Sequence, residues 1–142
     1  VKFRNAVFVG TLMLPWLGSC AAPSPKAGQP TVQGQSMQRM LADVNELRAY
    51  VYGTGSQADA RQAAADLLAW SKRMGELFPP GVASTDYVDM SAARAAGAPG
   101  AMTATADRLL AVVQSGTRAQ IGDQLARTER DGCGFCHLSN TK

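Results

Sequence analysis

Cys133, Cys136 and His137 stand together in the run "RDGCGFCHLSNTK", two thiols three residues apart with an imidazole directly after the second. His137 is the one histidine of the chain, and the third cysteine, Cys20, lies far upstream. Three chemistries use such a pair. Structural zinc takes about four soft ligands in a tetrahedron, and at most three are present. Dithiol exchange sets the pair at the start of a helix that follows a strand, where the helix N-terminus lowers a thiol pKa. Here the pair falls near the C-terminal end of a helical pattern, where the dipole opposes a thiolate. Covalent haem attachment matches both types and order: each thiol adds to a porphyrin vinyl group, and the adjacent histidine ligates the iron. On a helix Cys133 and Cys136 share a face, with His137 four residues beyond Cys133. The motif predicts one haem c, with Cys133 and Cys136 as covalent anchors and His137 as proximal iron ligand.

Such a group asks two things of the rest of the chain. Its propionates need cationic neighbours, for which Arg39, Arg127 and Arg130 are the candidates. Its apolar plate needs a core to enter, and a core short of bulky side chains benefits from it. The 142 residues are 46% apolar but only 6% aromatic. Alanine is abundant and β-branched residues are sparse, so the composition predicts one all-α domain. The formal charge is +3, but setting aside Lys2 and Arg4, which fall in the leader described next, reduces 14 basic residues to 12 against 11 acidic ones. That balance supplies no positive field for a phosphate backbone, which argues against nucleic acid as a partner.

The opening "VKFRNAVFVGTLMLPWLGSC" has a basic start, an apolar run from Ala6 to Leu17 and small residues before Cys20. This is the layout of a secretory signal over residues 1–19. The run is too short to span ~30 Å of hydrocarbon as a helix. "LGSC" resembles the lipobox of bacterial lipoproteins, which implies a lipid on Cys20. Ala21 then implies anchoring in the outer membrane of a Gram-negative cell, on the periplasmic side. With Cys20 acylated and Cys133 paired locally with Cys136, no cysteine remains for a long-range disulfide.

Residues 20–35, rich in Pro, Gly, Gln and Ala, read as a flexible linker, and residues 36–142 as the haem-binding domain. From Ser36 to Tyr52, Met37, Met40, Val44, Leu47 and Val51 recur at steps of three and four, with Gly53 and Gly55 as the stop. Ser56 and Asp59 open a second helix that carries Ala63, Leu67, Met74 and Leu77 to the stop "FPPG". Residues 79–100 form a long irregular stretch containing "VDMSAARAAG", a candidate short helix. A third helix over about 101–114 lines up Met102, Ala106, Leu109 and Val113. "SGT" then ends one helix and starts another, with Gly116 as C-terminal cap and Thr117 with Gln120 as a capping box. The fourth helix buries Ile121, Leu125 and Thr128 before it reaches Cys133. Four helices joined by sharp stops predict an antiparallel four-helix bundle.

The attachment site close to the end of the sequence, the four-helix pattern and the "FPPG" stop together resemble the cytochrome c-prime and cytochrome c-556 family over about residues 36–142. The run "LSNTK" after the histidine departs from the family, in which an aromatic and a basic residue follow. The resemblance implies that the first helix presents a residue to the distal side of the iron. Counting back from Gly53, that position is Met37, with Met40 one turn later as the competing choice. Gln33 stands where the family usually has an arginine. A methionine ligand implies a six-coordinate electron carrier that works with redox partner proteins, and not an enzyme. A methionine that only walls the pocket implies the alternative, a five-coordinate binder of gases such as NO or CO. Peroxidase-like chemistry lacks its distal histidine. Family members often dimerise through their first two helices, although no outward patch here marks an interface, so a homodimer stays open.

Overall fold

A computed structural model of the chain describes residues 31–79 and 97–138, apart from the side chains of Cys136 and Leu138. The expected leader, Cys20, the linker as far as residue 30 and the "VDMSAARAA" stretch lie outside the described residues.

Thr31 opens the first helix. Its hydroxyl accepts the Gly34 amide at 3.0 Å, and α1 runs Val32–Val51 from that cap. The start precedes the expected Ser36 by four residues, because a capping threonine can nucleate a turn in a Gly- and Gln-rich run that has no apolar period. Met40, Val44 and Leu47 are buried along α1 with Ser36, and Met37 and Val51 pack half-buried against the core. Two glycines end α1 for different reasons. Gly53 has φ +85°, which favours a residue without Cβ, and a Cβ on Gly55 would stand 2.8 Å from the Tyr50 amide nitrogen.

In α2, Gln57–Lys72, the Ser56 hydroxyl caps the Asp59 amide at 3.1 Å, and Ala60, Ala63, Ala64, Leu67 and Leu68 are buried. The expected single helix as far as Phe78 is interrupted at Arg73. Its amide bonds the Trp70 carbonyl at 2.9 Å, a three-residue closure that tightens the turn. A one-turn helix α3, Met74–Leu77, follows and buries Met74 and Leu77. Phe78 then leaves the helical region at φ −123° and ψ 65°, as a residue before Pro79 is restricted to do.

α4 spans Ala98–Ser115 and starts three residues ahead of expectation, because Gly97 at φ +85° turns the chain and Pro99 suits a first helical turn. It buries Met102, Ala106, Leu109 and Val113, the expected stripe. Gly116 ends it in extended backbone at φ −85°, so the glycine is required by space: a Cβ there would lie 2.6 Å from the Val112 carbonyl oxygen. The expected capping box opens α5, Arg118–Arg127, with Thr117 and Gln120 exchanging bonds of 2.8 and 3.3 Å. The helix then widens into a π-helical segment, Thr128–Cys133, and returns to α-helix in α6, Gly134–Leu138.

α1 packs on α2 and α5, α2 on α4, and α4 on α5 and the π-helical segment, so the contacts close a ring around Leu47, Leu67, Leu109, Val113 and Ile121. The fold is all-α, with no strand among the described residues. Among those residues no helix is long and apolar enough to cross a membrane, and no buried side-chain nitrogen or oxygen lacks a hydrogen-bond partner.

Candidate cofactor site

A cavity of about 360 Å³ opens beside Cys133 and His137. Helix α1 contributes Met37, Met40, Leu41, Val44 and Arg48 to its lining, and α3 and α4 contribute Met74 and Met102. Glu129, Gly132 and Cys133 of the π-helical segment and His137 of α6 complete it. The site therefore joins residues about a hundred positions apart. Both distal candidates, Met37 and Met40, line the same cavity as Cys133 and His137. Met40 is 7% exposed and belongs to the buried row of α1, whereas Met37 is half-buried at its edge. Cys136 lies in α6 between Cys133 and His137, with its side chain outside the described residues.

All four methionines among the described residues, Met37, Met40, Met74 and Met102, line this cavity. Thioether side chains are flexible and polarisable and pack well against aromatic rings, so they can shape themselves to a flat macrocycle. Met74 and Met102 read in the sequence as members of apolar stripes. Nothing in periodicity distinguishes a stripe residue that fills a core from one that faces a cavity, because both lie on the inward face.

The cavity has one ion pair at its edge. Arg48 Nε donates to Glu129 Oε1 at 3.0 Å, tying α1 to the π-helical segment, and a second guanidinium nitrogen reaches Asn45 Oδ1 at 3.3 Å. The bond to Glu129, reinforced by its charge, pushes the Arg48 pKa above its ordinary range. Sequence reasoning missed both residues. They sit 81 positions apart and meet only through the packing of the helices that carry them.

The three arginines singled out by sequence lie elsewhere. Arg39 borders a groove between α1 and α2 with Asp43, Asp66 and Trp70. Arg127 borders another between α4 and α5. Arg130 is exposed and holds Asp131 with bonds of 2.6 and 2.8 Å, which lower the Asp131 carboxyl below its usual range. Among the described residues no three His, Cys, Asp or Glu side chains gather as a metal cluster.

The π-helical segment sets how the motif enters the cavity. Thr128 is fully buried at its start and donates its hydroxyl to the Gln124 carbonyl at 3.0 Å and to the Thr105 carbonyl of α4 at 3.3 Å. An extra residue per turn changes the rotational phase of everything after it, so Cys133 and His137 do not point where a continuous α-helix would aim them. No family model, curated protein or solved structure matches the chain.

Proposed function

We propose that the chain is a monohaem c-type cytochrome that carries electrons outside the cytoplasm and is not an enzyme. In this reading Cys133 and Cys136 hold the haem as thioethers, His137 is the proximal ligand, and a methionine of α1, Met37 ahead of Met40, is the distal one. One observation carries it: a single cavity is lined by Cys133 and His137 of the motif and by both α1 methionines. Its volume of about 360 Å³ falls within the range of ~300–1,000 Å³ seen for cofactor sites. The residues present fit the group.

When bound, haem supplies one-electron cycling between ferrous and ferric iron. The chain supplies the surroundings. His137 would offer an imidazole nitrogen to the metal, and Met40, Val44 and Met102, which line the same cavity, would exclude water from it. Arg48 lines the cavity and so suits the propionates better than Arg39, Arg127 or Arg130, which do not. A close-packed helical core rearranges little on electron transfer. The ring of α1, α2, α4 and α5 supports the finer architecture, an antiparallel four-helix bundle like that of the cytochrome c-prime and c-556 family. A lipid on Cys20 would hold the domain near membrane-bound redox partners and raise their effective concentration.

A second reading, a five-coordinate binder of NO or CO, is favoured by Leu41 and Val44, apolar α1 residues that line the cavity beside the methionines and cannot ligate iron. The optical spectrum of the reduced protein with and without carbon monoxide separates the two. The carrier is expected to be low-spin and to resist the gas, with the low-spin spectrum lost in Met37→Ala and kept in Met40→Ala. A high-spin spectrum with ready gas binding selects the second reading, and a chain that matures without covalent haem overturns both.

A further inference from the structure

We infer that Met102 and Thr105 of α4 are positioning residues for haem attachment: they form the seat into which Gly132 presses, and that seat aims Cys133 and His137 into the cavity. This rests on the haem reading of the site. A Cβ on Gly132 would lie 2.7 Å from Met102 Sδ and 2.7 Å from Thr105 Oγ1, closer than real Cβ atoms stand to either. Gly132 is buried and directly precedes Cys133. The backbone thus touches α4 at the last position before the first anchoring thiol.

The neighbours make that contact a fixed point. Met102 is 1% exposed and itself lines the cavity, so the same side chain meets Gly132 and the cofactor space. Thr105 Oγ1 donates to the Ala101 and Met102 carbonyls at 3.1 and 3.0 Å, which holds the hydroxyl in place. One turn earlier, Thr128 bonds the Thr105 carbonyl. The π-helical segment is therefore pinned to one turn of α4 at both Thr128 and Gly132. A π-helical turn is a costly departure from α geometry and persists where its surroundings hold it. The attachment reaction adds a thiol S–H across a vinyl C=C, forming a C–S bond and saturating the double bond with the thiol proton. It needs no further reactant, but it does need Cys133 in register with the vinyl carbon.

The test is covalent haem content per chain, read by mass and by the reduced spectrum after denaturation, in full-length protein co-expressed with a haem-attachment system. Gly132→Ala is expected to lose most of its attached haem. Met102→Ala with Thr105→Ala removes the seat while keeping Gly132 and is expected to lose attached haem as well. The urea midpoint of each unloaded chain separates positioning from stability: positioning predicts a loss of attached haem that exceeds the fraction unfolded, whereas a merely structural role predicts that the two losses run in parallel. Wild-type haem content in either variant, or haem loss that only follows the unfolded fraction, overturns the inference while leaving the haem reading intact. Failure of the haem reading would show first, as a wild-type chain without covalent haem.

Discussion

Arg48 and Glu129 are the charged side chains that line the cavity, and each is partly open to solvent. A pair of this kind is worth at most about 1 kcal/mol to stability. A double-mutant cycle over Arg48→Gln and Glu129→Gln in the unloaded protein is expected to give a coupling of about 0.5–1 kcal/mol by urea denaturation. In the loaded protein the two substitutions should part company. Arg48→Gln is expected to shift the midpoint potential, measured by redox titration, more than Glu129→Gln does, because in the proposed function the guanidinium, which lines the cavity, would hold a propionate. Asp43 carries a different charge problem. Burial, then the neighbouring charges of Asp66 and Glu46, push its pKa up to about 6. A carboxyl raised in the folded state binds more protons there than in the unfolded chain between about pH 4 and 6, so stability falls as pH rises through that window. Asp43→Asn is expected to stabilise the protein at pH 7 by about 1 kcal/mol or less, given how much of this group solvent still screens, and to have no effect below pH 3.5. Thermal melts at the two pH values check both. Neither effect was legible in sequence, where Asp43 is one more acidic residue on an outward helical position.

Helix boundaries show which local signals carried the fold. Thr117 with Gln120, Ser56 with Asp59, and the glycines at 53 and 55 all act as their residue types announce, because capping, a left-handed turn and a close backbone approach depend on a few neighbouring atoms. Thr117→Ala is expected to cost about 1 kcal/mol by denaturant melt, with the slope of the transition unchanged, since it removes a cap and leaves the core intact. The early starts of α1 and α4 hide behind compositions that resemble linkers. The break at Arg73 and the π-helical turn at 128–133 have no punctuating proline at either place. The π-helical turn is held from across the core by α4, through Thr128 and Gly132, and is the more consequential of the two.

Across the molecule, the core is built from alanine and aliphatic side chains, and every described methionine lines the cavity beside it. In the proposed function the bound group would pack against the cavity only in the folded chain, so the loaded protein is expected to melt about 10 °C or more above the unloaded one. Coincident melts would mean that the cavity is not where the group resides. The residue types and their spacing alone determined the all-α class, the inward faces of the helices and the set of chemistries open to Cys133, Cys136 and His137. Those are local properties: a period of 3.6 residues, a cap, a thiol beside an imidazole. Tertiary structure alone decided that Met37 and Met40 share a cavity with His137, that Arg48 lines it while Arg39, Arg127 and Arg130 do not, and that Gly132 seats against Met102. Each of these depends on how helices distant in sequence are rotated and apposed, and a helix read alone carries its faces but not its neighbours.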